Sequence, residues 1–189
     1  MHVLVCPGIH DFQLTESFLD GLQGQLSSES SPNLVEKFLT FPAQNHPAYS
    51  AFHLLEFLRD RCSLESPLVF LSFSAGVVGA IGAAWAWQQW GGQVKAFVAL
   101  DGWGVPLYGD FPIHRVSHDY FTHWSSALLG SGVESFYADP PVEHLALWRS
   151  PQTAQGWALP APTAKTATHS TTAALFLTHL LARYGEAGA

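Results

Sequence analysis

Apolar residues along the chain follow two alternating patterns. Short runs rich in β-branched and aromatic residues predict buried strands, whereas apolar residues that recur every three or four positions predict helices. The strand-like runs cover residues 2–6, 36–41, 67–73, 94–100, 113–118 and 133–138. The helix-like segments cover residues 15–26, 50–61, 75–89, 122–129 and 171–184. Thr15 and Ser50 are the expected N-caps of the first two helices, and Gly130 ends the fourth.

Strands that alternate with helices at this spacing predict an α/β fold. We expect a three-layer sandwich in which a mainly parallel sheet is covered by helices on both faces. A chain of 189 residues is long enough for one such domain, over residues 1–189. Residues 151–170, rich in Pro, Thr and Ala, are predicted to form an irregular loop. In open sheets of this kind ligands bind beyond the carboxyl ends of the strands, so residues that follow strands are the candidates for function.

The uncharged window from Ser66 to Val94 is long enough to raise the question of a membrane span. Its chemistry changes at Ser74, where the strand-like "PLVFLSF" gives way to the Ala- and Gly-rich "AGVVGAIGAAWAWQQW". No excess of Lys or Arg on one side orients the segment. We therefore expect a buried strand followed by a helix, and no membrane span.

Charge and cysteine content narrow the class of protein. The chain has 8 Lys and Arg against 15 Asp and Glu, for a formal charge of −7, and its basic residues do not cluster. Because binding to phosphates needs clustered basic residues, no nucleic-acid partner is expected. Two cysteines, Cys6 and Cys62, fit a reducing compartment, and the N-terminus "MHVLVCPGIHD" lacks a cationic leader. These features predict a cytoplasmic protein.

A serine stands at the junction between the predicted strand 67–73 and the helix that follows. The local sequence Ser72-Phe73-Ser74-Ala75-Gly76 has the form small-x-Ser-x-small. A backbone that folds back on itself at a tight strand-to-helix corner needs small residues on either side of the corner. Ser74 is therefore a candidate nucleophile displayed at the end of a strand.

This junction resembles the nucleophile elbow, G-x-S-x-G, of the α/β-hydrolase family. Ser72 stands where the family usually has glycine, which keeps the small size. The resemblance covers most of the chain as a pattern of elements, although the sheet would lack the first two strands of the full fold, and residues 102–112 leave little room for a lid. It implies a serine hydrolase of esterase or thioesterase type that acts on a small-molecule acyl substrate, with no cofactor and no metal.

The resemblance also implies a catalytic triad in the chain order serine, acid, histidine. His144, in the loop-like segment "ADPPVEHLALWRSP", is the expected base, and His169 is the alternative. Asp119, which ends the strand 113–118 and lies 25 residues before His144, is the expected acid. Asp101, which directly follows the strand 94–100, is the alternative acid.

An acyl-transfer site also needs donors that stabilise the developing oxyanion. By resemblance, these are the backbone N–H of Ala75 and an N–H in the loop "PGIHD" after the first strand. Gly8 would allow that loop to approach closely, and Ile9 or His10 would present the N–H. Ile9 is our first choice.

Two alternatives remain open from the sequence. The segment "IHRVSHDYFTH" carries His114, His118, Asp119 and His123, which predicts a metal-dependent hydrolase if their side chains converge. The other alternative is a catalytically inactive binding protein built on the hydrolase fold, because a fold does not determine a function.

Overall fold

A computed structural model describes residues 1–28, 37–161 and 167–186, which form one eight-stranded sheet and six helices. The strands are β1 (His2–Cys6), β2 (Lys37–Thr40), β3 (Leu68–Phe73), β4 (Val94–Leu100), β5 (Ile113–Ser117), β6 (Glu134–Ala138), β7 (Gln155–Leu159) and β8 (His169–Thr172). The helices are α1 (Phe12–Ser28), α2 (Ala51–Arg59), α3 (Ala75–Gln89), α4 (Tyr120–Ala127), α5 (His144–Arg149) and α6 (Ala173–Glu186).

The sheet is mixed, with the strand order β2-β1-β3-β4-β5-β6-β7-β8. Strands β1 to β6 pair in parallel, whereas β7 is antiparallel to both β6 and β8. The carboxyl ends of β1, β3, β4 and β5 therefore meet at one edge of the sheet. The predicted α/β class is confirmed.

Hydrophobic cores lie on both faces of the sheet, because successive strand residues point to opposite sides. In β3, Val69 and Leu71 join a cluster with residues of α1, α5 and α6. Their neighbours Leu68 and Phe70 join the opposite cluster, which includes residues of α2 and α3. The helices thus form a layer on each face of the sheet.

The uncharged window folds as the predicted strand followed by a helix. All six residues of β3 are buried, and α3 begins at Ala75, directly after the corner at Ser74. Within the described ranges, no helix is both long enough and apolar enough to cross a bilayer. The absence of charge is explained by burial, since α3 packs its small residues close against the sheet and against α2.

Three expectations about local structure are wrong. Gly130 does not end α4, which ends at Ala127 with Leu128 as its C-cap. Residues 151–170 are not an irregular loop throughout, because they contain β7 and the start of β8; residues 162–166 lie outside the described part. The inward residues of β7 are Gly156 and Ala158, which are too small to give a strong alternating pattern.

Helix α1 begins at Phe12, with Asp11 Oδ1 accepting from the backbone N–H of Gln13 at 2.8 Å, so Thr15 is not its N-cap.

The N-cap of α2 is placed as predicted. The Ser50 side chain accepts a hydrogen bond from the backbone N–H of His53 at 3.4 Å, and α2 begins at Ala51. A side-chain cap of this kind satisfies one of the free N–H groups at the start of the helix.

One histidine is buried in the sheet. His114 in β5 has no exposed surface, and its Nε2 lies 2.8 Å from Tyr184 Oη while Nδ1 lies 3.8 Å from Glu134 Oε2. Burial lowers the pKa of His114 to about 4, and the attraction of Glu134 offsets only part of that effect.

This burial predicts acid sensitivity. Between pH 6.5 and about 4 the unfolded chain binds a proton at residue 114 that the folded protein does not, so stability falls as the pH falls through that window. The loss amounts to roughly 3 kcal/mol. Urea unfolding at pH 7.5 and pH 4.5 should show a smaller difference in His114→Gln than in the parent. His169→Gln, at an exposed position, is the matched control, and equal effects of the two changes would contradict the assignment.

Candidate active site

The corner at Ser74 has an unusual backbone conformation. Ser74 links β3 to α3 with φ +51° and ψ −124°, a region that residues with a side chain seldom adopt. Its N–H donates to the carbonyl oxygen of Leu100 in β4 at 3.0 Å, which ties the corner to the neighbouring strand. Strained backbone of this kind persists only where the surrounding structure imposes it.

Small residues make the corner possible. A side chain at Gly76 would overlap the backbone carbonyls of Cys6 and Pro7 at the end of β1. A Cβ at Gly8 would lie 3.0 Å from the Ser74 Cβ, so the loop after β1 passes directly beside the serine. Ser72 is fully buried, and its hydroxyl donates to the Val98 carbonyl at 2.9 Å. The small-x-Ser-x-small pattern therefore corresponds to close packing on both sides of Ser74.

His144 lies opposite Ser74. Its Nε2 is 3.2 Å from Ser74 Oγ, and its ring stacks on Phe73 with centroids 4.6 Å apart. His144 is the first residue of α5, a six-residue helix that the sequence analysis did not predict. The structure thus brings together the expected nucleophile and the expected base.

The carboxylate that contacts His144 belongs to Asp101. Asp101 Oδ2 lies 2.7 Å from His144 Nδ1, and the Asp101 side chain is only 2% exposed. Strand register explains the placement, because Phe73 pairs with Leu100 and the next residues along, Ser74 and Asp101, emerge side by side. Burial favours a raised pKa for the Asp101 carboxyl, but hydrogen bonds from His118 and His144 outweigh it and hold the pKa below its ordinary value. Asp101 is therefore ionised at neutral pH.

The expectation that Asp119 contacts the base needs correction. Asp119 is the N-cap of α4, and its Oδ1 accepts from the backbone N–H of Thr122 at 2.6 Å. Its Oδ2 lies 3.6 Å from Nε2 of a different histidine, His118. Helix α4 begins directly after Asp119, and capping that helix holds the carboxylate at its N-terminus. The alternative acid, Asp101, occupies the position expected of Asp119.

His169, the alternative base, is remote from these contacts. It is the exposed first residue of β8, and its Nδ1 lies 3.4 Å from the Ala167 carbonyl oxygen. A position on the edge strand of the sheet explains why it does not reach the carboxyl ends of β3 and β4.

A second imidazole, that of His118, contacts Asp101; the sequence analysis named it only as a candidate metal ligand and not beside the triad. His118 donates from its backbone N–H to Asp101 Oδ1 and from Nδ1 to Asp101 Oδ2, both at 2.9 Å. The hydrogen bond to Asp101 raises the pKa of His118, burial opposes that change, and the charges of Asp101, Asp119 and Glu143 add to it. The available signal was its place just after β5, because β5 lies next to β4 in the sheet.

The predicted metal cluster does not assemble as expected. His114 faces Tyr184 inside the sheet, and the His123 ring packs on Tyr137 with centroids 5.2 Å apart. Within the described part of the chain, one group has three side chains that could reach a common ion, with donor atoms within 4.8 Å of one another. It consists of Asp101, His118 and His144.

Two backbone segments lie beside Ser74. Ala75 is the first residue of α3, so its N–H has no acceptor within the helix and lies at the positive end of the helix dipole. The loop that contains Gly8 and Ile9 also passes the serine, and a Cβ at Gly8 would lie 3.0 Å from Ser74 Cβ. The expected oxyanion donors, Ala75 and Ile9, therefore belong to the two segments that flank Ser74.

A cleft of about 410 Å³ opens in front of these residues. Ser74, Asp101, His118 and His144 lie on its polar side, and the remaining walls come mostly from apolar side chains: Ala75, Val78, Trp103, Val105 and the partly polar Thr122. The volume falls within the range of small-molecule sites. A comparison with protein-family models, curated proteins and solved structures found no match to this chain.

The packing at the corner yields a test of the fold around the site. Gly76→Ala places a methyl group against backbone that cannot move aside, so the free energy of unfolding should fall by about 1–3 kcal/mol. Gly24→Ala is the matched control, because residue 24 lies in α1 with open space around it and alanine favours a helix by up to about 1 kcal/mol. Urea unfolding curves measure both. A neutral effect at residue 76 would show that α3 does not pack as closely as described.

Proposed function

We propose that the protein is a serine hydrolase of α/β-hydrolase type that cleaves ester or thioester bonds in a small acyl substrate. One observation carries the proposal: Ser74 Oγ, both ring nitrogens of His144 and the Asp101 carboxylate form a continuous chain of contacts at 3.2 and 2.7 Å. The residues also occur in the family's chain order of serine, acid and histidine. The strained strand-to-helix corner at Ser74 supports the same assignment.

The contact with Asp101 indicates which ring nitrogen of His144 carries the proton. The Asp101 carboxylate can only accept hydrogen bonds, so the proton of a neutral His144 ring resides on Nδ1. Nε2 then carries a lone pair that faces Ser74 Oγ. His144 is thus oriented to remove the serine proton.

The reaction proceeds through an acyl-enzyme. Ser74 Oγ attacks the substrate carbonyl carbon while its proton passes to His144 Nε2, and the N–H groups of Ala75 and Ile9 stabilise the oxyanion. His144 then protonates the departing alcohol or thiol as the carbonyl bond to it breaks. A water molecule, deprotonated by the same ring, releases the carboxylic acid and restores Ser74.

The walls of the cleft suit an apolar acyl group. Val78, Trp103 and Val105 flank Ser74, and Trp103 is 64% exposed. Each methylene group buried there contributes about 0.8 kcal/mol. The proposed substrate therefore presents an apolar acyl chain to this side of the cleft.

Covalent labelling tests the nucleophile and the base together. A fluorophosphonate should modify Ser74, and His144→Ala should abolish the modification, because an unassisted hydroxyl is a weak nucleophile near neutral pH. His169→Ala, at the exposed alternative position, is the matched control and should label normally. Mass spectrometry of the modified peptide identifies the residue. Folded protein that takes up no label at pH values from about 6 to 9 would instead favour a catalytically inactive binding protein.

The two aspartates provide a test of the acid. Asp101→Asn removes the charge that orients His144, so kcat for hydrolysis of an activated ester should fall by up to about 10⁴-fold. Asp119→Asn keeps a side chain that caps α4 and should retain most of the turnover. Steady-state kinetics of the two variants compare the roles. A large loss in Asp119→Asn with little loss in Asp101→Asn would restore Asp119 as the acid.

A further inference from the structure

Three metal-binding atoms converge on one point in the cleft. Asp101 Oδ2 lies 2.9 Å from His118 Nδ1 and 2.7 Å from His144 Nδ1, and all three atoms lie within 4.8 Å of one another. Zinc bonds to imidazole nitrogen and carboxylate oxygen at about 2.0–2.2 Å. An ion bonded to all three atoms at these lengths would require the two contacts to Asp101 Oδ2 to lengthen by roughly 0.5 Å.

The outer ring nitrogens of both imidazoles face oxygen atoms, one of them a carboxylate oxygen. A histidine that binds a metal through one ring nitrogen usually donates its other N–H to a carboxylate, carbonyl or water. Asp119 Oδ2 lies 3.6 Å from His118 Nε2, and Ser74 Oγ lies 3.2 Å from His144 Nε2. The third ligand is fixed as well, because Asp101 is buried and its Oδ1 accepts from the His118 backbone N–H.

The donor set indicates which ion would bind. Two imidazoles and one carboxylate suit zinc, whereas magnesium and calcium prefer a shell made mostly of oxygen. Three protein ligands leave a fourth position, which a zinc ion normally fills with water. The cleft in front of Ser74 supplies room for that water.

We propose that Asp101, His118 and His144 form a Zn²⁺ site and that zinc reversibly switches off the nucleophile. A metal ion on Nδ1 of a neutral His144 requires that the ring proton move to Nε2. Nε2–H then donates to Ser74 Oγ and cannot accept the serine proton. The proton of a neutral His118 moves in the same way to Nε2, toward Asp119. The switch, unlike the metal site itself, rests on the proposed hydrolase function.

Binding of zinc is measured without reference to activity. Metal-free protein titrated with zinc chloride in a calorimeter should bind one ion per chain, and His118→Ala should lose this site. His169→Ala controls for a general effect of removing a histidine and should bind as the parent does. Asp119→Asn, which keeps the helix cap, should weaken binding by about 10- to 100-fold because it removes the outer carboxylate of His118. Absence of binding, or equal binding in His118→Ala and the parent, would overturn the site.

Labelling of Ser74 by a fluorophosphonate tests the switch. Saturating zinc should suppress labelling, a chelator should restore it, and Asp119→Asn should need about 10- to 100-fold more zinc for the same suppression. Labelling that persists at saturating zinc would overturn the switch. If Ser74 takes up no label even in chelator, the hydrolase proposal and the switch fail together, whereas the calorimetric result still decides whether the metal site exists.

Discussion

The arrangement of the site depends on the buried carboxylate of Asp101. Removal of a charge from water is costly, and a buried carboxylate is stable only when several donors surround it. Asp101 receives three of them, from the backbone and ring of His118 and from the ring of His144. These donors come from the end of β5 and the start of α5, so a single side chain holds together parts of the chain that are distant in sequence. Loss of either histidine would leave the charge less well compensated, so the positions of the three side chains depend on one another.

Two adjacent corners of the sheet both have a positive φ. Ser74 and Asp101 both have positive φ, at +51° and +49°. Each conformation costs on the order of 1–3 kcal/mol. The sheet imposes both corners in the same way, because the Ser74 N–H donates to the carbonyl of Leu100 and the Asp101 N–H donates to the carbonyl of Val116. A strained corner on each of two paired strands turns both side chains out of the sheet edge, toward the one ring of His144.

The parts of the fold that the sequence predicted are those in which local pattern and burial agree. Strand β4 and helix α3 begin and end where expected, since each is a long run with one consistent chemistry. Ser74 was identifiable because a change of pattern and small flanking residues coincide there. Strand β7 was missed because its buried residues are glycine and alanine, and α5 because six residues are too few for a helical pattern.

The spacing of residues in the sequence could not show whether Asp101 or Asp119 contacts His144. Both follow parallel strands that are neighbours in the sheet, and each therefore reaches the same edge. Their surroundings separate them: a helix starts directly after Asp119 and binds its carboxylate, whereas the Gly102 that follows Asp101 packs tightly against Val77 of α3 and starts no helix. Chain order alone cannot show whether a carboxylate caps a helix or contacts the histidine, because the direction of the backbone after the strand decides whether a helix starts there.

The same carboxylate stands at the centre of both proposed states of the site. In the proposed hydrolase, a proton that His144 Nδ1 donates to Asp101 leaves Nε2 free to act as a base toward Ser74. In the proposed zinc-bound state a metal ion takes the place of that proton, so that Nε2 carries a proton of its own and no longer accepts one. Because His118 contacts the same oxygen, it would supply the third ligand of that ion, which an isolated serine, histidine and aspartate would lack. In both proposals, the state of the cleft follows from what lies between Asp101 Oδ2 and the two imidazole nitrogens.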